Sequence, residues 1–205
     1  YSDIASGLAD TVLVVNPEIS TPAVNFAKRD IHFIFGDGCV ATIVKKDSKS
    51  EKTFKIIDRK LITKFSNNIR SDWSYLSRTA TDHKTEEELL FYQNGNSVFK
   101  EVCPLVAEFI STQLDKNNIK PDEITKFWLH QANARMINLI VSKVIGSNEF
   151  DTNLAPLPIQ KFGNLASAGS MFAFNLNNDL EKGQKGIICS FGAGYSVCSL
   201  LVERI

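Results

Sequence analysis

A layered α/β fold is predicted from three observations. Short apolar runs of strand length alternate with apolar-periodic runs of helical length, glycine-rich corners join apolar runs, and the apolar content is that of an ordinary globular core. Helices that alternate with strands stack on both faces of a sheet, which gives an α-β-α arrangement. The 205 residues, 43% hydrophobic and 22% charged, suffice for one large domain or two small ones.

The chain opens without Met at Tyr1-Ser2-Asp3-Ile4-Ala5-Ser6-Gly7, which reads as the last turns of a helix with a glycine stop. It is therefore expected to begin inside a domain. Thr11-Val-Leu-Val-Val15 suits a strand of a parallel sheet, buried on both faces. After a loop containing Pro17 and Pro22, His32 to Phe35, Gly36-Asp37-Gly38 and Cys39 to Val44 read as strand, tight corner and strand. The charged run Lys45 to Lys52 is a solvated turn before a strand over Phe54 to Ile57. Residues 64–93 read as a polar connector, with Glu86-Glu87-Glu88 on a water-facing helix turn.

Asn94-Gly95 is a turn signal, and Val98, Val102, Val106, Ile110 and Leu114 then recur at helical spacing. Pro104 within that run predicts a kink or a split into two helices. A strand follows at Phe127 to Leu129, then a helix at Asn133 to Ile145, a loop to Asn164 and a helix at Ser167 to Leu180. Strands at Gly186 to Ser190 and Tyr195 to Val202, joined by a Gly-Ala-Gly corner, complete the chain. Three segments are expected: 1–63, a connector 64–93, and 94–205.

Lys plus Arg and Asp plus Glu stand at 23 each, so no global field draws the chain to nucleic acid or an anionic membrane. A locally basic docking patch is compatible with that balance. Apolar runs are too short to span a bilayer, and no charged start precedes an apolar stretch. A soluble cytoplasmic protein is expected. Cys39, Cys103, Cys189 and Cys198 form no CxxC and read as reduced, buried thiols. No pair of His or Cys has metal-ligand spacing, so no metal site is expected.

In Leu129-His130-Gln131-Ala132-Asn133-Ala134-Arg135, His130 stands where an apolar strand ends and a helix begins. Ligands of α/β sheets gather at the carboxyl ends of strands, and a nearby helix N-terminus keeps an imidazole neutral. Such a group can stabilise an oxyanion or act as a base, or it can simply cap backbone groups. His32, read as structural, and His83, read as solvated, have no comparable setting. The small-residue run Gly163-Asn164-Leu165-Ala166-Ser167-Ala168-Gly169-Ser170 admits a ligand with Asn164 as amide donor, or starts a helix capped by Asn. Phe191-Gly192-Ala193-Gly194 can aim backbone N–H groups at negative charge, or be a plain hairpin turn. Gly36-Asp37-Gly38 lacks the Lys-Ser/Thr of a phosphate loop.

Taken in order, Phe35-Gly36-Asp37-Gly38, His130-Gln131-Ala132-Asn133, Gly163-Asn164 and Phe191-Gly192-Ala193-Gly194 resemble the β-ketoacyl-acyl-carrier-protein synthase III family. The resemblance covers nearly the whole chain. It implies the thiolase fold, two similar α/β halves in five layers, working as a homodimer without cofactor or metal. Residues 94–205 would be the complete C-terminal half, preceded by the tail of the N-terminal half.

The implied reaction carries an acyl group from acyl-CoA on a Cys. Malonyl-acyl-carrier protein then loses CO2, and its enolate attacks the acyl thioester. His130 and Asn164 match the side chains that donate hydrogen bonds to the malonyl thioester oxygen, and the Ala193 N–H matches the oxyanion donor for the acyl-Cys. Gly95, Phe99 and Asn133 match residues lining the substrate tunnel, and Arg135 one implicated in carrier-protein docking. Phe99 equally suits core packing, and Arg135 a solvated helix face. In the family the nucleophilic Cys lies just upstream of Tyr1, so this chain alone is expected to be inactive. Leu165 and Gly169 stand where Thr and Ala are usual, and with its longer His130 to Asn164 stretch, Asn153-Leu-Ala-Pro156 and the Ser-Ala-Gly-Ser run the chain resembles branches using medium-chain primers. The alternative is a non-catalytic thiolase-fold subunit or acyl-binding module.

Overall fold

The computed structural model describes residues 1–29, 31–47, 50–71 and 86–205. In chain order the elements are helix α1 (Ser2–Ala5) and strands β1 (Thr11–Glu18), β2 (Gly38–Lys45), β3 (Phe54–Ser66) and β4 (Ile69–Arg70). Helix α2 (Glu86–Leu89), β5 (Tyr92–Gln93), α3 (Gly95–Lys116), β6 (Ile124–Leu129) and α4 (Ala134–Ile145) follow. The chain ends with α5 (Ile159–Phe162), α6 (Gly169–Leu176), β7 (Lys185–Gly192) and β8 (Gly194–Arg204).

Side chains of successive strand residues point to opposite faces, and this alternation builds two cores on one mixed sheet of order β3-β8-β7-β6. Strands β6 and β7 are parallel, and the other pairs are antiparallel. Phe127, Leu129, Ile187, Cys189, Val197 and Leu201 pack with the buried residues of α3 and α4. Trp128, Ile188 and Val202 point the other way, onto Ala173 and Phe174 of α6. The layers are therefore α-β-α, as predicted.

Helix α4 starts where the Asn133 side chain accepts from Met136 N at 2.8 Å and stops at Gly146, in the left-handed region at φ 73°. Helix α3 is capped by Asn94, which accepts from Ser97 N at 3.2 Å, so Asn94-Gly95 opens a helix directly. Of the kink or split expected at Pro104, the split does not occur, and α3 runs on from Gly95 to Lys116. Proline removes a single helical hydrogen bond, and the buried stripe Val98, Val102, Val106 and Ile110 holds both sides of it against the core.

The earlier part of the chain departs more from expectation. Strand β1 runs past Val15 to Glu18 and pairs antiparallel with β2, from Thr11↔Lys45 to Glu18↔Gly38. It was expected to be parallel and buried, yet Leu13, Val14 and Val15 are 61%, 48% and 55% exposed. In a two-stranded ribbon those side chains meet no sheet neighbours beyond the one partner strand. His32 to Ile34 is a turn rather than a strand, and Phe35 makes an isolated bridge: His32 N donates to Lys28 O, and Ile34 N to Ile31 O, both at 3.1 Å.

The strand expected over 54–57 extends to Ser66 and hydrogen-bonds to β8, with Ile57 and Ile62 packed on the α3–α4 core. It thus belongs to the later sheet although it begins in the first expected segment, and it ends within the expected connector. Cys103 and Cys189 are buried, but Cys39 and Cys198 are exposed, because alternation turns them outward on their strands. His83 and residues 72–85 of the connector lie outside the described residues. Among the described residues no helix is long and apolar enough to cross a membrane, and no cluster of three or more His, Cys, Asp or Glu could hold a metal ion.

Candidate active site

The apolar strand β6 ends at Leu129, and His130 follows with its N–H donating to Cys189 O at 2.7 Å. That bond carries the β6–β7 pairing one residue further and places the imidazole at the carboxyl end of the sheet. The residue is only 8% exposed, and the Phe191 ring stands edge-on to it at 5.0 Å. Burial pulls the imidazole down to about 4, opposed by a hydrogen bond with the Ala166 backbone and by the Glu18 carboxylate. His130 is therefore neutral near physiological pH. Its Nδ1 is buried and has no protein partner among the described residues.

Gln131 ties this strand end to the next part of the site. Its Nε2 donates to Leu129 O at 2.8 Å, and its Oε1 accepts from Ile159 N at 3.1 Å. Ile159 begins α5, the turn that delivers Phe162-Gly163-Asn164. Asn164 N donates to Ile34 O at 2.8 Å and Asn164 O accepts from Gly36 N at 3.1 Å, a bridge of parallel type between Asn164 and Phe35. Asn164 Oδ1 accepts from Ala166 N at 3.0 Å, which leaves the amide NH2 as the group able to donate to a ligand. The Ala166 backbone thus contacts both side chains, the Asn164 amide and the His130 imidazole.

The glycine corner is explained by the same contact. A Cβ on Gly36 would lie 2.1 Å from Phe162 O, so only glycine lets this backbone seat the Asn164 segment. Gly36→Ala is expected to cost about 1–3 kcal/mol by forced displacement and to lower activity beyond its effect on stability. Denaturant midpoints and steady-state rates measured on one preparation check this, and unchanged stability would contradict the geometry. Asp37 turns its carboxylate away from any ligand: it accepts from Ser20 N at 2.8 Å, Thr21 N at 2.9 Å and Thr21 Oγ1 at 2.6 Å. The Thr21 hydroxyl, with these backbone donors, holds the Asp37 carboxyl below its usual range.

The Phe191-Gly192-Ala193-Gly194 corner is the tip of the β7–β8 hairpin, with Ala193 exposed and Phe191 turned onto His130. Four of the remaining predicted residues meet in one cleft of about 410 Å³, lined by Gly95, Asn96, Phe99, Asn133, Ala134 and Arg135. The N-termini of α3 and α4 form it together. Phe99 lines the cleft and packs against the core. Arg135 is exposed at the cleft, and the Asn133 side chain is engaged as the cap of α4.

Two residues that sequence reasoning passed over also reach the site. Glu18 and Asn16, at the end of β1, hold Ser167 beside Ala166. The one signal for them was a carboxylate at the carboxyl end of an apolar strand. Cys39 and Cys198 are exposed, and desolvation raises the Cys198 thiol against the opposing charge of Arg59. Burial pushes the Cys103 thiol up to about 11 and raises that of Cys189 further, while Cys39 and Cys198 lie within strands.

Two family models match the chain: 3-oxoacyl-[acyl-carrier-protein (ACP)] synthase III over residues 1–64, and the C-terminal model of the same family over residues 114–204. The beta-ketodecanoyl-[acyl-carrier-protein] synthase of Pseudomonas aeruginosa is 43% identical over 204 residues, which is 98% of this chain and 58% of the relative. The beta-ketoacyl-[acyl-carrier-protein] synthase III of Helicobacter pylori is 28% identical over 207 residues, covering 97% of this chain and 60% of the relative. The chain thus spans less than two thirds of the length of these relatives. The crystal structure of 3-oxoacyl-[acyl-carrier-protein] synthase III from Aquifex aeolicus superposes with a TM-score of 0.80 at 23% identity, over 98% of this chain and 60% of that one. With its thiolase-like α/β fold and with both family models matched in order, this chain belongs to the 3-oxoacyl-[acyl-carrier-protein] synthase III family.

Proposed function

We propose that the protein containing this chain condenses an acyl-CoA primer with malonyl-acyl-carrier protein to give a 3-oxoacyl-acyl-carrier protein. The observation that carries the reading is a buried, neutral imidazole whose Nδ1 has no partner among the described residues, joined through Ala166 to the segment presenting the Asn164 amide. A buried polar atom without a partner is costly, and in the tautomer that carries the ring proton on this nitrogen a substrate oxygen would relieve that cost. In this reading His130 and Asn164 donate to the malonyl thioester oxygen. The bond to the carboxylate breaks, CO2 leaves, and the electron pair passes into the enolate they stabilise. The enolate carbon then attacks the acyl thioester, whose carbonyl oxygen the Ala193 N–H receives. Cysteine thiolate leaves as the new C–C bond forms.

The acyl-carrying Cys belongs, in this reading, to a segment preceding Tyr1, because the thiols present are buried or held within strands. The chain alone would then be inactive, awaiting its nucleophile. The cleft of Gly95, Phe99 and Asn133 takes the substrate arm, and Arg135 at its rim meets the acidic carrier protein. The working unit is a homodimer in the cytoplasm, with no resident cofactor. The name of the Pseudomonas relative supports a medium-chain product, as does the resemblance of Asn153-Leu-Ala-Pro156 and the Ser-Ala-Gly-Ser run.

The test is the full-length protein assayed with malonyl-carrier protein and acyl-CoA primers from acetyl to dodecanoyl. Medium-chain primers are expected to exceed acetyl in kcat/KM by about 10-fold or more, the scale of added methylenes in an apolar pocket. A preference for acetyl would overturn the chain-length assignment, and no condensation with any primer would overturn the function.

A further inference from the structure

The Asn164 segment is anchored on two sides, and only one of them is the glycine corner. On the other, the Glu18 Oε1 accepts from Ser167 N at 3.2 Å and from the Ser167 hydroxyl. Asn16, which shares a face of β1 with Glu18, donates from Nδ2 to Ser167 Oγ at 2.9 Å and to Glu18 Oε1 at 3.3 Å. Ser167 is fixed in this way to a strand 149 residues away in sequence.

Between this clasp and Asn164 lie Leu165 and Ala166, and Ala166 is held at φ 44°, a left-handed conformation that alanine rarely adopts. Such a conformation persists only where the surroundings over-determine it. The surroundings here are the Asn164 Oδ1 bond on one side and the Glu18–Ser167 clasp on the other. Ala166 is also the backbone that touches the His130 ring. The carboxylate of Glu18 therefore reaches both proposed donors through one strained residue.

We propose that Glu18 is a positioning residue for the condensation: by clasping Ser167 it holds Ala166 in the left-handed form, which aims the Asn164 amide and the His130 imidazole at one substrate oxygen. This rests on the condensing activity proposed above. Glu18 touches no substrate, so its removal acts on the alignment of the donors and spares binding. A small misplacement of groups that act on a developing charge lowers the chemical step and leaves ground-state affinity in place.

The experiment uses the full-length protein with Glu18→Ala, Glu18→Gln and Ser167→Ala. Glu18→Ala is expected to lower kcat about 10- to 100-fold, with KM for malonyl-carrier protein changed by less than about twofold. Glu18→Gln keeps an oxygen acceptor at the same place and is expected to recover most of the loss, while Ser167→Ala falls between. Hydrogen exchange over residues 163–170 should quicken in Glu18→Ala while the β6 and β7 amides exchange as in the parent. Parental kcat in Glu18→Ala overturns the proposal. So does a loss shared equally by kcat, KM and exchange throughout the sheet, which marks a folding defect. A wild-type protein without condensing activity would remove the reaction, and unchanged exchange over 163–170 in Glu18→Ala would separately remove the clasp.

Discussion

His130→Ala in the full-length protein is expected to lower decarboxylative condensation by about 100- to 1,000-fold, the scale of losing one donor to a developing oxyanion. Acyl transfer from acyl-CoA to the enzyme should change by less than about threefold, because the malonyl thioester oxygen takes no part in it. Single-turnover acylation with labelled acyl-CoA, beside CO2 release from malonyl-carrier protein, separates the two steps. Equal losses in both would make His130 a structural residue, the capping role its sequence position also permits. Asn164→Ala should resemble His130→Ala, and the double variant should fall well short of the product of the two losses. Donors converging on one oxygen act as a unit.

The parts of the site legible in the sequence are those whose chemistry is local. A His at the end of an apolar strand, with a helix beginning just after it, is legible because strand end, polar residue and helix start are adjacent. The Gly163-Asn164 segment and the Gly-Ala-Gly hairpin were visible as small-residue runs for the same reason. What brings them together was not visible. Gln131 reaches Ile159, Gly36 receives Phe162, and Glu18 holds Ser167, all contacts between residues far apart in the chain.

The fold shows the same division. Helix α4 and strands β6, β7 and β8 follow from periodicity because each buries its own stripe. Thr11 to Val15 has the composition of a doubly buried strand, but burial depends on layers supplied from elsewhere, and none covers it among the described residues. His32 to Phe35 has strand-forming residues but, among the described residues, pairs only through the single Phe35–Asn164 bridge, so local turn bonds win over residues 32–34. Pro104 was given its intrinsic helix-breaking weight, which tertiary packing of α3 outweighs.

Acidification from about pH 7 to about pH 4 is expected to cost the protein about 3 kcal/mol of stability through His130. The imidazole titrates at 6.5 when free and is pulled down to about 4 in the fold, chiefly by burial. Between those values the unfolded chain binds a proton that the folded protein refuses, so stability rises with pH across the window. Stability is at its full value above 6.5, falls as pH drops, and the His130 contribution is wholly lost below about 4. Carboxylates act in a different range. Asp37, Asp58 and Asp179 are held below 3.8, so the stability they contribute is present above 3.8 and lost only as pH falls further. Urea midpoints of the parent and His130→Gln at both ends of the window measure the difference, and the parent should lose more by about that amount. Equal losses would mean that the folded imidazole protonates freely. Such an imidazole would enter the reaction already charged below pH 6.5, and the same burial that makes it acid-sensitive is what keeps it a neutral donor at working pH.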